Sequence, residues 1–401
     1  MEIDIGRGKK GRRAYGFDDI AIVPSRRTRD PDDIDISWTL GPYRFELPLV
    51  ASAMDGVVSP ETAAMVNGLG GLGVLNLEGI WTRFEDADER LEKIAAAPKQ
   101  EATRIMQEIY AEPVKPELVG RRIAEIKEQG AVACGSLTPQ RVRDFYEIAV
   151  EAGVDILVIQ GTVISAEHVS SSVEPLNLKE FIAEVPVPTV VGGCASYATG
   201  LHLMRTGAVG VLVGVGPGAA CTTRGVLGIG VPQATAIADV AAARSQHMLE
   251  TGEYVNVIAD GGMRTGGDVS KAIACGADAV MVGSPLARAK EAPGKGFHWG
   301  MATFHPSLPR GTRVATVQDG TMEEILLGPA HENDGTFNLM GALRTSMATC
   351  GYEDIRSFQR AEVMIAPALQ SEGKRLQQEQ SVGMGSNGRA VVAEAVGVAD
   401  D

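Results

Sequence analysis

Residues 255–287 read VNVIADGGMRTGGDVSKAIACGADAVMVGSPLA, and this stretch decides the fold. VNVIADG (255–261) is a short apolar run rich in β-branched residues, and DAVMVGS (278–284) is a second. Neither alternates apolar with polar, so each is expected to be a strand buried on both faces, as in a parallel sheet. GGDVSKAIACG (266–276), between them, carries a helical pattern closed by glycine.

Six further runs of the same kind precede this unit: LPLVAS (47–52), GLGVLNL (71–77), AVACGSL (131–137), VDILVIQ (154–160), PTVVGGC (188–194) and AVGVLVG (208–214). Amphipathic stretches separate them. PELVGRRIAEIKEQG (116–130) opens on Pro116 and closes on Gly130. TPQRVRDFYEIAVEAG (138–153) offers Thr138 as N-cap and Gly153 as stop. SYATGLHLMRTG (196–207) and VPQATAIADVAAARSQHM (231–248) read likewise. Eight β-α units in series, with no second cluster of strands, predict an α/β protein: one (β/α)₈ TIM barrel over residues 41–380. Residues 1–40 are expected to form an arm or hairpin over it. Residues 80–115 form a helical insert after the second strand, with EDADERLEK as its solvated face, and residues 381–401 form a flexible tail.

Composition narrows the function. The chain has 401 residues and a formal net charge of −14. An acidic chain repels nucleic acid and anionic membrane, so neither is expected as a partner. An anionic ligand would need loop amides and helix N-termini. Cys134, Cys194, Cys221, Cys275 and Cys350 show neither CxxC nor metal-ligand spacing, which argues for a reducing compartment and against zinc or disulfides. No apolar core follows the basic N-terminus and no run is long enough to span a bilayer, so a cytoplasmic protein is expected.

Barrels carry their chemistry where strands end. The sixth strand runs into GVGPGAACTTRGVLGIGVPQATA (214–236), where Gly214, Gly216 and Gly218 with Pro217 make an amide-rich loop before Cys221. Loop amides and Arg224 would favour a thiolate there. A buried, inert thiol is the common fate of cysteine and is the reading for Cys134, Cys275 and Cys350. The glycines and two threonines around Cys221 are not core composition. Asp260, at the seventh strand end, suits a ribose diol, and Gly261 and Gly262 let backbone close on an anion. Gly283 and Ser284 open a short helix after the eighth strand, completing the usual phosphate site of such barrels. Each glycine pair alone reads equally as a tight turn; with Asp260 they point to a nucleoside monophosphate.

GPGAACTTRGVLGIGVPQATA (216–236) resembles the catalytic loop of the IMP dehydrogenase/GMP reductase family. VIADGGMRTGGDVSKAIACGADAVMVGSPLA (257–287) is similar to its ribose-and-phosphate segment, and YGFDDIAIVPSRR (15–27) and LVASAMDGVV (49–58) to its N-terminal signatures, with Ser52, Met54 and Asp55 in the second. The resemblance covers residues 12–80 and 116–380. It implies that Cys221 attacks purine C2, that hydride passes to NAD, and that IMP becomes XMP. It implies Thr223 beside the reacting group, Asp260 on the ribose, and Gly262, Gly283 and Ser284 on the phosphate. Ser52 and Met54 join the substrate site, with the Met301 backbone on the purine edge. Gln160 and Thr162 take cofactor positions, carbonyls of Gly216, Gly218 and Cys221 match those that hold K⁺, and the assembly is a homotetramer.

The departures are as informative. The insert is too short for the regulatory CBS pair. Ala219 replaces a phosphate-binding serine, Gln160 the aspartate for the NAD ribose, and Cys194 an asparagine. Only FHPSLP separates Thr303 from Arg310, so the Arg–Tyr pair that activates water has no counterpart. This pattern is most similar to the CBS-less third-type IMP dehydrogenase paralogues of cyanobacteria and actinobacteria. The expected activity is IMP dehydrogenase, with Thr223 orienting water and Arg310 or a nearby histidine, His298 or His305, assisting. A GMP reductase using NADPH, acting on GMP, and a non-catalytic purine-nucleotide binder are the alternatives.

Overall fold

A computed structural model describes residues 2–164, 175–300, 312–367 and 371–385. The eight apolar runs all become strands: β1 (Leu49–Ala51), β2 (Leu72–Asn76), β3 (Cys134–Leu137), β4 (Ile156–Gln160), β5 (Thr189–Cys194), β6 (Gly210–Val213), β7 (Asn256–Asp260) and β8 (Ala279–Val282). Each pairs in parallel with the next. β8 returns to β1 through Val280↔Leu49 and Val282↔Ala51, so the sheet closes into a TIM barrel.

The interior is packed, not hollow. Val74, Cys134, Ile156, Val158, Leu212 and Ile258 fill it in one apolar cluster. Trp38, Leu40 and Phe45 belong to the same cluster. They come from a hairpin, Trp38–Leu40 with Tyr43–Phe45, anchored where Trp38 Nε1 donates to Leu47 O at 2.8 Å. The hairpin plugs the mouth where strands begin, leaving the opposite rim for a ligand.

Glu2–Gly6 and Lys9–Arg12 form an exposed hairpin. Ile20–Ile22 pairs antiparallel with Val363–Ile365, which ties the two ends of the chain together.

Helices start where side-chain caps satisfy orphan amides. Ser59 caps Pro60–Gly68, Ser196 caps Tyr197–Met204, and Thr265 with Asp268 forms a capping box on Gly266–Ala274. Thr138 departs from expectation. The helix after β3 runs Val142–Glu151, and Thr138 is no cap. Its own N–H donates to Glu78 Oε1 at 2.5 Å, and its carbonyl accepts from Arg141 and Val142, so residues 138–141 form a turn at the rim.

The insert holds a short turn, Ile80–Thr82, and two helices, Ala87–Ala96 and Ala102–Tyr110. Of the expected tail, Gly383–Gly385 is a 3₁₀ turn and residues 386–401 lie outside the described residues. Among the described residues no helix is long and apolar enough to cross a membrane.

Candidate active site

The strand ends converge on one cavity of about 810 Å³. β1 contributes Ser52 and Met54, the β4 end Gln160 and Thr162, and the β6 loop Gly216, Gly218, Cys221 and Thr223. β7 adds Asp260 and Gly262, and β8 adds Gly283 and Ser284. Met301, Arg310 and His305 lie outside the described residues; Gly300, just before them, lines the cavity.

The cysteine loop is shaped by one arginine. Gly216 has φ +80°, and a Cβ there would lie 2.6 Å from Arg224 Cγ. Only glycine takes that conformation without strain and leaves the arginine room. Arg224 Nη2 donates to Val231 O at 2.8 Å, which closes the base of the loop. Cys221 N donates to Gly218 O at 3.0 Å, and the half-buried thiol donates to Thr223 Oγ1 at 3.2 Å. Thr223 is fully buried, so its hydroxyl is a fixed partner.

The other thiols differ. Burial pushes Cys194 and Cys275 up to about 12, and raises Cys134 and Cys350 as well. A thiol held protonated is a poor nucleophile. Cys221 is half-buried and is the cysteine that lines the cavity.

Asp260 stands at the end of β7, half-buried in the cavity wall. Desolvation pushes its pKa up to about 7, opposed by a hydrogen bond from Gln160 Nε2 at 3.2 Å. An isolated carboxylate in such a place is costly and calls for donors. Two hydroxyls on adjacent carbons would supply them. Gln160 thus faces the Asp260 carboxyl directly, and its Oε1 is buried without a partner.

Two glycine turns complete the rim. Gly262, φ +83°, packs on Pro217, where a Cβ would lie 3.0 Å from Pro217 Cβ. The β6 and β7 loops therefore interlock. Gly283 packs on Met54, whose Sδ would be 2.4 Å from an added Cβ. Ser284 opens the four-residue helix Ser284–Ala287, and its Oγ shares a hydrogen bond with His298 Nε2 at 2.8 Å.

Burial corrects the reading of His298 as a group titrating near neutrality. The ring is fully buried, and desolvation pushes its pKa down to about 4. It is neutral at pH 7 and too weak a base to take a proton from water.

Gln233 carried no signal in the sequence. It sits buried at the start of helix Gln233–Thr251, and its Nε2 donates to Val213 O at 2.6 Å and Asp260 O at 3.1 Å, bridging the ends of β6 and β7. Phe17 and Asp18 from the N-terminal segment, and Thr138–Gln140 after β3, also line the cavity.

A TIM barrel whose strand ends gather a half-buried thiol, a half-buried carboxylate and two glycine turns on one cavity carries its candidate site at the C-terminal rim, as barrel enzymes do. The chain belongs to the IMP dehydrogenase/GMP reductase family of oxidoreductases: the IMP dehydrogenase / GMP reductase domain matches residues 14–375. It is 48% identical over 372 residues to uncharacterized oxidoreductases of Mycolicibacterium smegmatis and Mycobacterium tuberculosis, covering 90% of this chain and 99% of theirs. An inosine-5'-monophosphate dehydrogenase of Methanocaldococcus jannaschii is 28% identical over 486 residues, covering 90% of this chain and 95% of the relative. The crystal structure of an IMP dehydrogenase/GMP reductase-like protein from Corynebacterium glutamicum superposes with a TM-score of 0.87 at 46% identity, covering 91% of this chain and 97% of that one.

Proposed function

We propose that this chain is an IMP dehydrogenase of purine nucleotide biosynthesis, oxidising IMP to XMP with NAD through Cys221. The observation that carries the reading is the thiol of Cys221 and the half-buried carboxyl of Asp260 facing one cavity. Asp260 accepts from both ribose hydroxyls. The amides of Gly262 and Gly283 and the Ser284 hydroxyl hold the phosphate, which sets the purine over the β6 loop. Ser52 and Met54 pack the β1 side, and the Met301 backbone meets the purine edge.

The Cys221 thiolate adds to purine C2, forming a carbon–sulfur bond. Bound NAD supplies the hydride acceptor, and Thr162 with the neighbouring rim offers polar and glycine surface for it. Loss of hydride leaves a thioimidate. Water then adds at C2 and the carbon–sulfur bond breaks, which releases XMP and returns the thiol. Thr223, fixed by burial, orients that water, and Arg310 assists. The site suits K⁺ through carbonyls of Gly216, Gly218 and Cys221, since hard cations take oxygen ligands; the Gly218 carbonyl already accepts from Cys221 N and keeps a second lone pair.

A homotetramer acting in the cytoplasm is part of the same reading. Steady-state assay of IMP with NAD against GMP with NADPH tests it. Turnover of the first pair alone is expected. Turnover of the second makes the chain a GMP reductase. Tight nucleotide binding with neither reaction makes it a binding protein.

A further inference from the structure

The insert after β2 touches the rim from a distance, and its contacts converge on one segment. Asp55 follows Met54, which lines the cavity, and is itself buried. The Tyr110 hydroxyl, at the end of helix Ala102–Tyr110, donates to Asp55 Oδ2 and accepts from Trp299 Nε1 at 2.7 Å. Trp299 is buried and precedes Gly300, which lines the cavity. Gly56 seals the same junction: an added Cβ would lie 2.9 Å from Phe297 O and 3.3 Å from Trp299 Cζ3.

A second contact holds the other side. Phe297–His298 pairs antiparallel with Val314–Ala315 as a two-stranded ribbon. Next to it, the Arg313 guanidinium lies 4.2 Å over the Phe297 ring and donates to Ile94 O and Ala95 O, the latter at 3.3 Å. These are carbonyls from the last turn of helix Ala87–Ala96, where a cation is favoured. One insert thus grips both strands of the ribbon, and through Asp55 it also grips the turn behind Met54.

We propose that the helical insert is the positioning element of the rim segment Phe297–Gly300, with Tyr110 and Arg313 as its two positioning residues. This rests on Cys221 being the reactive group of that rim. The hydroxyl of Tyr110 fixes Trp299 against the Met54–Asp55–Gly56 turn, so the spacing between the β1 side and the β8 side of the cavity is set by a residue far away in sequence. Ribose and phosphate contacts come from β7 and β8 and do not pass through the insert. Loosening the clamp therefore slows the reaction more than it weakens nucleotide binding. Sub-ångström misplacement of a reacting group is expensive for rate, up to about 10²-fold for 1 Å.

The test compares Tyr110→Phe, Arg313→Ala and Arg313→Lys with the unaltered full-length protein, using IMP and NAD. Glu92→Gln is the control, because the exposed Lys295–Glu92 pair contributes little. Amide hydrogen exchange over residues 297–300 and 312–316 is read in parallel without ligand. Tyr110→Phe and Arg313→Ala are each expected to lower kcat about tenfold, with KM for IMP within about twofold. Exchange at 297–300 quickens in Tyr110→Phe, and Arg313→Lys, which can still donate to Ile94 and Ala95, recovers most of kcat. Unchanged kcat, a loss carried equally by KM, or unchanged exchange at 297–300 overturns the proposal. If Tyr110→Phe does not fold, the Arg313 pair decides by the same criteria. If the unaltered protein turns over no purine nucleotide, the enzymatic reading fails by itself, and the exchange comparison alone decides the clamp.

Discussion

Asp260 and Cys221 answer to opposite rules at the level of single residues. Both are half-buried in the cavity wall, but the thiol must reach a carbon whereas the carboxyl must find donors. With its folded pKa near 7 against about 3.9 unfolded, Asp260 resists ionisation in the empty pocket. Stability from this group is full below about pH 4 and is lost as pH rises through 7. Asp260→Asn should therefore raise the melting temperature of the ligand-free protein above pH 7 and leave it unchanged near pH 4, by calorimetry. Diol binding needs the carboxylate, so nucleotide affinity should weaken about tenfold per pH unit below 7. A flat affinity between pH 5.5 and 7 would remove Asp260 from the ribose. Arg310→Ala should lower kcat, with the first-turnover burst of NADH intact, because general acid–base help is worth about 10²–10⁴-fold and acts after hydride transfer. A wild-type kcat, or loss of the burst, would take Arg310 out of the hydrolytic step. Cys221, Asp260, Gly262 and Ser284 were legible in the sequence because apolar runs mark strand ends, and strand ends of a barrel share a rim. Gln233 was not. A lone glutamine at a helix start carries no pattern, and its partners on β6 and β7 become neighbours only when the barrel closes.

Among the elements, the β6 loop and the insert do the positioning. Gly216 and Gly225 separate the two uses of glycine in that loop. A Cβ on Gly216 meets Arg224 and a left-handed backbone, whereas a Cβ on Gly225 meets nothing within 4 Å. Gly216→Ala should destabilise by about 1–2 kcal/mol and cut kcat by displacing Cys221. Gly225→Ala, within helix Thr223–Leu227, should do neither. Equal kcat and melting temperature for the two variants would mean that the loop is not held as described. All eight strands were readable from period alone, because each is apolar on both faces. The start of the helix after β3, at Val142 rather than next to Thr138, was not readable in detail, since the bond from Thr138 N to Glu78 joins two β-α units. The insert read as a solvated helix, which its Glu92 face is. Its buried face was hidden for the same reason as Gln233: Tyr110 meets Trp299 only across 189 positions of sequence.

At the scale of the whole molecule, the barrel leaves apolar groups outside. Ile5 is 72% exposed on the N-terminal hairpin, Val226, Leu227 and Ile229 are exposed on the β6 loop, and Met364 and Ile365 on the strand paired with Ile20–Ile22. The proposed homotetramer would cover such groups. Light scattering at micromolar concentration should give four times the 42.2 kDa chain mass, and a monomer would refute the assembly. Central to the account is covalent catalysis by Cys221, and it leaves a direct mark. Protein mixed with IMP and NAD, quenched in acid within a turnover and weighed intact, should carry a purine nucleotide adduct that peptide mapping places on Cys221. Cys221→Ala should form neither adduct nor NADH while still binding IMP. NADH formation by Cys221→Ala, or an adduct on another cysteine, would contradict the account.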